Sequence, residues 1–216
     1  MTPTGDPGRR PEILFDGPAE AALTLVLAHG AGGPMDSGFM TTVARGVAGR
    51  GFRVARFEFP YMHARRLGAK RGAPDREPVL RESWLATIQK LNGRGQLAIG
   101  GKSMGGRIAS MVADEAGVRG LVCLGYPFHP PGKPEKLRTA HLAGLTTPAL
   151  IVQGERDPFG TRVDVAGYTL SPAIRIHWIE AGDHSFKPPA RSGRTEAGNV
   201  EEAIGVVAEF LTELSR

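Results

Sequence analysis

Short apolar runs alternate along the chain with longer stretches in which apolar residues recur every three or four positions. The runs fall at residues 23–28, 53–57, 97–100, 121–124, 149–152 and 174–179. All six predict strands: 23–28, near-continuously apolar and ended by glycines, is expected to be central and covered on both faces, while 174–179 alternates imperfectly. The helical stretches carry Phe39, Met40, Val43 and Val47, with Ser37 at the N-cap, then Leu80, Trp84, Leu85, Ile88 and Leu91, with Asn92-Gly93 as the stop. Two more follow: Ile108, Met111 and Val112 before Gly117, and Ile204, Val207, Phe210, Leu211 and Leu214 in a helix from Val200 onward. Strands alternating with helices predict an α/β fold, a mostly parallel central sheet with helices on both faces. Ile13-Leu14-Phe15 ahead of Asp16-Gly17 predicts an antiparallel edge strand, and residues 60–78 read as one long loop overhanging the sheet. No internal repeat or low-complexity linker interrupts the pattern. At 216 residues one domain is expected, with residues 1–10 a flexible start.

Composition changes this picture only at the margins. Hydrophobic residues at 41% and charged residues at 23% suit a chain that buries a core. Gly 30 and Pro 17 imply many tight turns, without the Gly-X-Y period of collagen. The single cysteine, Cys123, lies in an apolar run. It predicts a buried core thiol and leaves no partner for a disulfide framework or a cysteine-rich zinc site. No apolar stretch reaches the length of a membrane span and the start lacks a signal-peptide core, so a cytoplasmic location is expected. The net charge of +5 raises the question of nucleic acid. Its densest patch, Arg65, Arg66, Lys70, Arg71 and Arg76, has one flanking aromatic, Tyr61, and no stacking periodicity. A solvated loop face is expected ahead of an acid-recognising rim, and no nucleic-acid partner.

The candidate chemistry begins at Gly101-Lys102-Ser103-Met104-Gly105, a G-x-S-x-G string placed between a predicted strand and a predicted helix. That context is what a nucleophile elbow requires, because small residues on either side let strand and helix pack closely around a tight bend. A serine hydroxyl needs a base to take its proton. The base belongs on the loop after the last strand, where Gly182-Asp183-His184-Ser185-Phe186 makes His184 the candidate. The base in turn needs a carboxylate on its outer nitrogen. Asp157, beyond the strand at 149–152, is favoured over Asp183 and Glu155. Oxyanion donors are expected from the Met104 amide and from the loop His29-Gly30-Ala31-Gly32-Gly33, at Ala31 or failing that Gly32. His29 itself is expected to fix that loop.

Taken together these residues resemble the α/β-hydrolase superfamily from Leu23 to the terminal helix, in the order serine, acid, histidine. The segments around Gly30, Ser103 and His184 look like small dienelactone-hydrolase-like proteins. True dienelactone hydrolases use cysteine where this chain has Ser103, so the resemblance implies the fold and an acyl-enzyme mechanism but not lactone chemistry. Haloalkane dehalogenases place aspartate there and are excluded by residue type. The resemblance implies a serine hydrolase of the carboxylesterase or thioesterase type, without cofactor or metal, acting on a small-molecule ester or thioester. Residues 125–148 are too few for a cap domain and carry Pro127, Pro130, Pro131 and Pro134, so an open cleft is expected. Tyr126, Phe128 and Phe159 are candidates for its acyl pocket, with core packing the competing role. An inert hydrolase-fold interaction module and a small serine peptidase stand as the alternative functions. The sequence sets no oligomeric state.

Overall fold

A computed structural model describes residues 13–91 and 95–216; the expected helix stop at Asn92-Gly93 and the expected flexible start lie outside them. Seven strands form one sheet: β1 (Leu14–Asp16), β2 (Thr24–Ala28), β3 (Arg53–Phe57), β4 (Leu97–Lys102), β5 (Gly120–Leu124), β6 (Ala149–Gly154) and β7 (Ile174–Ile179). Their spatial order is β1-β3-β2-β4-β5-β6-β7, and every pairing is parallel except that of β1 with β3. The helices among the described residues are α1 (Gly38–Ala48), α2 (Pro60–Arg66), α3 (Glu77–Lys90), α4 (Met104–Ala116), α5 (Arg162–Val165) and α6 (Glu196–Leu214).

The fold is the expected mostly parallel α/β sheet with helices on both faces and no cap domain over the strand ends among the described residues. Strands buried on both sides need apolar residues at every position, and β2 and β5 have them: Leu25 to Ala28 and Gly120 to Leu124 are all buried. One face packs Trp84 and Ile88 of α3 and Ile108 and Val112 of α4 against Val26, Ile99 and Leu121. The other packs Met40, Val43 and Val47 of α1 and Ile204, Val207 and Leu211 of α6 against Leu25, Leu27 and Val122. Cys123 is part of the first core, its thiol pKa pushed up by burial.

Chain order reverses at the centre of the sheet. From β2 the chain steps outward to β3, and from β4 it steps the other way to β5, β6 and β7. With right-handed crossovers, α1 and α4 then fall on opposite faces, and a crevice opens between the C-terminal ends of β2 and β4. The loops after those strands are the two glycine-rich segments singled out above.

Two expectations about elements need correction, the loop over 60–78 at both its ends and the last helix at its start. Residues 60–66 are helical, because Pro60 occupies the first turn with its φ already set and Tyr61 and Met62 are buried beneath it. The next helix starts at Glu77, so Pro78 is inside its first turn and does not close a loop. The last helix starts at Glu196, where the Thr195 hydroxyl accepts from the Gly198 amide at 3.0 Å. No helix among the described residues is long and apolar enough to cross a membrane.

Candidate active site

Ser103 joins β4 directly to α4, and its backbone sits at φ 51°, ψ −114°. A side chain other than glycine at positive φ costs about 1–3 kcal/mol and persists only where the surroundings over-determine it. They do so here by close approach. A Cβ on Gly105 would lie 2.4 Å from Ala28 O and 2.7 Å from His29 O, both backbone atoms that cannot move independently of β2. Gly105→Ala is therefore expected to destabilise the protein by about 3 kcal/mol. Gly205→Ala, inside α6 with nothing within 4 Å of the added methyl, is expected to stabilise it by up to about 1 kcal/mol. Urea unfolding of the two variants measures this contrast, and equal effects would refute the steric account of the elbow.

The loop after β2 is held from behind. His29 is buried, and its Nε2 accepts from the Phe59 amide at 3.2 Å. That nitrogen is therefore bare, the hydrogen is on Nδ1, and Nδ1 donates to Gly30 O at 2.7 Å. Burial lowers the His29 pKa, which suits this neutral form. The Tyr61 hydroxyl donates to Ala31 O at 3.1 Å. In trans peptides the N–H opposes the preceding carbonyl, so the Ala31 and Gly32 amides point away from His29 and Tyr61. Gly30 brings the loop against the elbow: a Cβ there would lie 3.7 Å from Ser103 Cβ.

His184 follows β7 on a short loop with a rigid frame. Asp183 Oδ1 accepts from the amides of Ser185 and Lys187 at 2.8 and 3.0 Å, and Asn199 of α6 donates to Phe186 O at 2.8 Å. The imidazole Nδ1 lies 2.7 Å from Asp157 Oδ2. Asp157 is fully buried, and its carboxylate also accepts from Gln153 Nε2 at 2.9 Å and from the Phe159 amide at 2.9 Å. The three rival carboxylates are thus distinguished by what they hold. Asp183 is committed to its own turn, and Glu155 accepts from the Ala181 amide and pairs with Arg162. Asp157 alone of the three bonds the His184 ring.

Ser103, His184, Ala31, Gly32, Lys102 and Phe159 share the wall of a cleft of about 420 Å³. Phe159 lies over the imidazole with ring centroids 4.3 Å apart. Tyr126 and Phe128 do not line this cleft. Both are fully buried in the core, where the Tyr126 amide is anchored by Gln153 Oε1 at 2.7 Å and its hydroxyl donates to Arg138 O. The Met104 amide begins α4 immediately after Ser103. In the basic segment, Arg66 is paired with Glu58 and Asp36, Arg65 stacks on Tyr61 at 4.9 Å, and Lys70 and Arg71 are exposed.

Two contributors went unnoticed in the sequence. Gln153 bridges Asp157 to the backbone after β5, and its one visible signal is an amide in an otherwise apolar strand. Lys102 is the other, a lysine at the end of a buried strand.

A parallel sheet with a strained serine at its switch point is the architecture of an α/β hydrolase. The family description for the alpha/beta hydrolase domain matches residues 21–212, and the chain belongs to that family. Among solved structures it is similar to an alpha-beta serine hydrolase homologue from Coxiella burnetii, with 21% identity, a TM-score of 0.68, and 93% of this chain and 91% of that one covered. A serine hydrolase without a lid from Xanthomonas campestris gives 20% identity, a TM-score of 0.66, and coverage of 92% and 88%. A dienelactone hydrolase from Anabaena variabilis gives 20% identity, a TM-score of 0.67, and coverage of 96% and 92%. At these identities the likeness is one of fold.

Proposed function

We propose that the protein is a serine hydrolase that cleaves a carboxylic ester or thioester through an acyl-enzyme on Ser103. The observation that carries this reading is the 2.7 Å bond between His184 Nδ1 and buried Asp157, with His184 and Ser103 on one cleft wall. Both Asp157 oxygens accept hydrogen bonds from other donors, so the shared hydrogen belongs to His184 Nδ1. Nε2 is left bare, which is the tautomer a general base needs. In this mechanism Ser103 Oγ attacks the acyl carbonyl while His184 Nε2 takes the hydroxyl proton. The proton passes to the leaving alcohol or thiol as the tetrahedral intermediate collapses. Water, deprotonated by the same nitrogen, then attacks the acyl-enzyme, and Ser103 is regenerated as the acid departs.

The oxyanion of each intermediate is assigned to the Met104 amide and to the amide of Ala31 or Gly32, which the held carbonyls of Gly30 and Ala31 turn away from His29 and Tyr61. The cleft volume and the absence of a covering domain among the described residues favour short acyl groups presented from solvent. Fluorophosphonate labelling tests the reading. A single phosphonyl adduct on the peptide containing Ser103, lost in Ser103→Ala, is expected. No adduct refutes it and favours an inert interaction module, and an adduct that survives the substitution refutes it by placing the reactive nucleophile elsewhere.

A further inference from the structure

Lys102 is the last residue of β4, immediately before Ser103. Its ammonium donates to the backbone carbonyl of His184 and lies 5.5 and 5.9 Å from the ring centroids of Phe39 and Phe186. A Cβ on Gly125 would sit 2.7 Å from Lys102 Nζ and 3.3 Å from His184 Nδ1, so the two nitrogens are at most about 6 Å apart. Gly125, at φ +68°, leaves the space in which ammonium and imidazole loop meet. A lysine in such a slot is costly to charge, since apolar side chains of similar length would fill it without a desolvation penalty.

We propose that Lys102 is a positioning residue for His184: its ammonium holds the carbonyl of the base while Asp157 holds the ring. The proposal rests on the reading of Ser103 and His184 as nucleophile and base. A ring hydrogen bond fixes one end of the imidazole, and the Asp183 and Asn199 contacts hold the neighbours of His184 and not its own backbone N–H and C=O. A second hold on the same residue's backbone fixes where Cα stands, and hence where Nε2 points. Errors of about 1 Å in such a placement cost up to about a hundredfold in rate.

The charged and titratable groups facing the ammonium are Asp157 from the loop after β6 and Asp183 and His184 from the loop after β7. From α1 and the far side of the base loop come the rings of Phe39 and Phe186. Burial outweighs the two carboxylates and brings the Lys102 pKa down from 10.5 to about 8. The folded protein therefore binds fewer protons than the unfolded chain between those values, and the destabilisation due to Lys102 is relieved as pH rises across that window. The strength of its hold on the carbonyl falls over the same range, because a neutral amine is the weaker donor.

The test compares the unaltered protein with Lys102→Met and Lys102→Arg on p-nitrophenyl acetate from pH 6 to 10, with Ser103→Ala as the blank. Lys102→Met is expected to lower kcat at pH 7 by roughly 10- to 100-fold with KM within threefold. Its melting temperature at pH 7 is expected to rise, because a half-buried, largely desolvated charge has been removed. The unaltered protein is expected to lose kcat above about pH 8. Lys102→Met lacks that alkaline limb, and Lys102→Arg recovers most of the lost kcat with the limb displaced beyond pH 10. Unchanged kcat in Lys102→Met overturns the proposal, as does a loss of kcat accompanied by a lower melting temperature, which assigns a structural role instead. Should Lys102→Met not fold, the other two proteins decide: an alkaline limb that Lys102→Arg displaces supports the proposal, and an identical limb in both overturns it. Fluorophosphonate labelling of the same preparations separates the two levels. Absence of Ser103-dependent labelling in the unaltered protein removes the underlying reading. Intact labelling with coincident profiles removes only the role of Lys102.

Discussion

Ser103→Ala is expected to lower kcat on a short-chain p-nitrophenyl ester by roughly 10⁵-fold while the protein stays folded. The size follows from the role. Without the hydroxyl no acyl-enzyme forms, and what is left is the catalysis that oxyanion donors and binding supply to direct attack by water. The fold has no stake in the oxygen. Ser103 holds its place through its amide, which donates to Leu124 O at 3.0 Å, and through the glycines that let α4 approach β2. Alanine keeps the amide and meets the same backbone strain at φ 51°. The melting temperature should therefore move by no more than about 2 °C, a shift of at most about 1 kcal/mol for a chain of this size. Steady-state kinetics beside a thermal scan measure both quantities. A variant that retains more than a tenth of the turnover excludes Ser103 as nucleophile, and one that fails to fold contradicts the packing account of the elbow.

What the sequence made legible was whatever depends on local pattern. The runs at 23–28, 53–57, 97–100, 121–124 and 149–152 predict strands because a parallel sheet buried on both faces favours apolar residues at successive positions. The run at 174–179, an edge strand with Arg175 exposed, alternates imperfectly instead. All six are strands. The glycines around Ser103 are visible for a similar reason, since the close approach of α4 to β2 excludes any side chain. Elements with little apolar signal were lost. Helix α2 buries only Tyr61 and Met62 and is fastened by contacts distant in sequence, such as the Tyr61 amide donating to Asp75 at 2.9 Å. The first turn of α6 is polar and is fixed by its cap, so periodicity begins only at Val200.

Side-chain partnerships were legible only in outline. Position after the strand at 149–152 favours Asp157 over Asp183 and Glu155 as the partner of His184, but what each carboxylate holds is set by hydrogen bonds inside loops that carry no sequence period. Tyr126 and Phe128 are candidates both for the pocket and for the core, and the core has them. Gln153 accepts from the Tyr126 amide, and both rings pack in the core on the face that carries α3 and α4. Lys102 stands in the sequence only as the variable position of the G-x-S-x-G string, and its ammonium contact with the His184 carbonyl comes from the fold.

Asp157→Asn should lower kcat by about 10⁴-fold, with a smaller change in KM. The reasoning rests on counting donors. Asp157 Oδ2 faces two of them, His184 Nδ1 and Gln153 Nε2, and Oδ1 faces the Phe159 amide. An asparagine offers one oxygen and one NH₂, so either orientation sets a donor against a donor. With NH₂ on the Phe159 side, the oxygen still serves His184 and Gln153, but the Phe159 amide loses its acceptor and the loop that carries Phe159 over the imidazole is released. With NH₂ on the His184 side, Nδ1 must become the acceptor. The hydrogen then moves to Nε2, and the base can no longer take a proton from Ser103. Either arrangement leaves a buried polar group unpaired at about 1–3 kcal/mol, so a lower melting temperature should accompany the kinetic loss. Glu155→Gln supplies the comparison. Glu155 accepts from the Ala181 amide at 3.2 Å and does not touch the imidazole, so its kcat should stay within about threefold of the unaltered protein. Measured kcat for the pair decides the assignment. Asp157→Asn active at more than a tenth of the original rate would mean that the orientation of His184 depends on some other group, with the Asp183 turn and the Lys102 contact next in line.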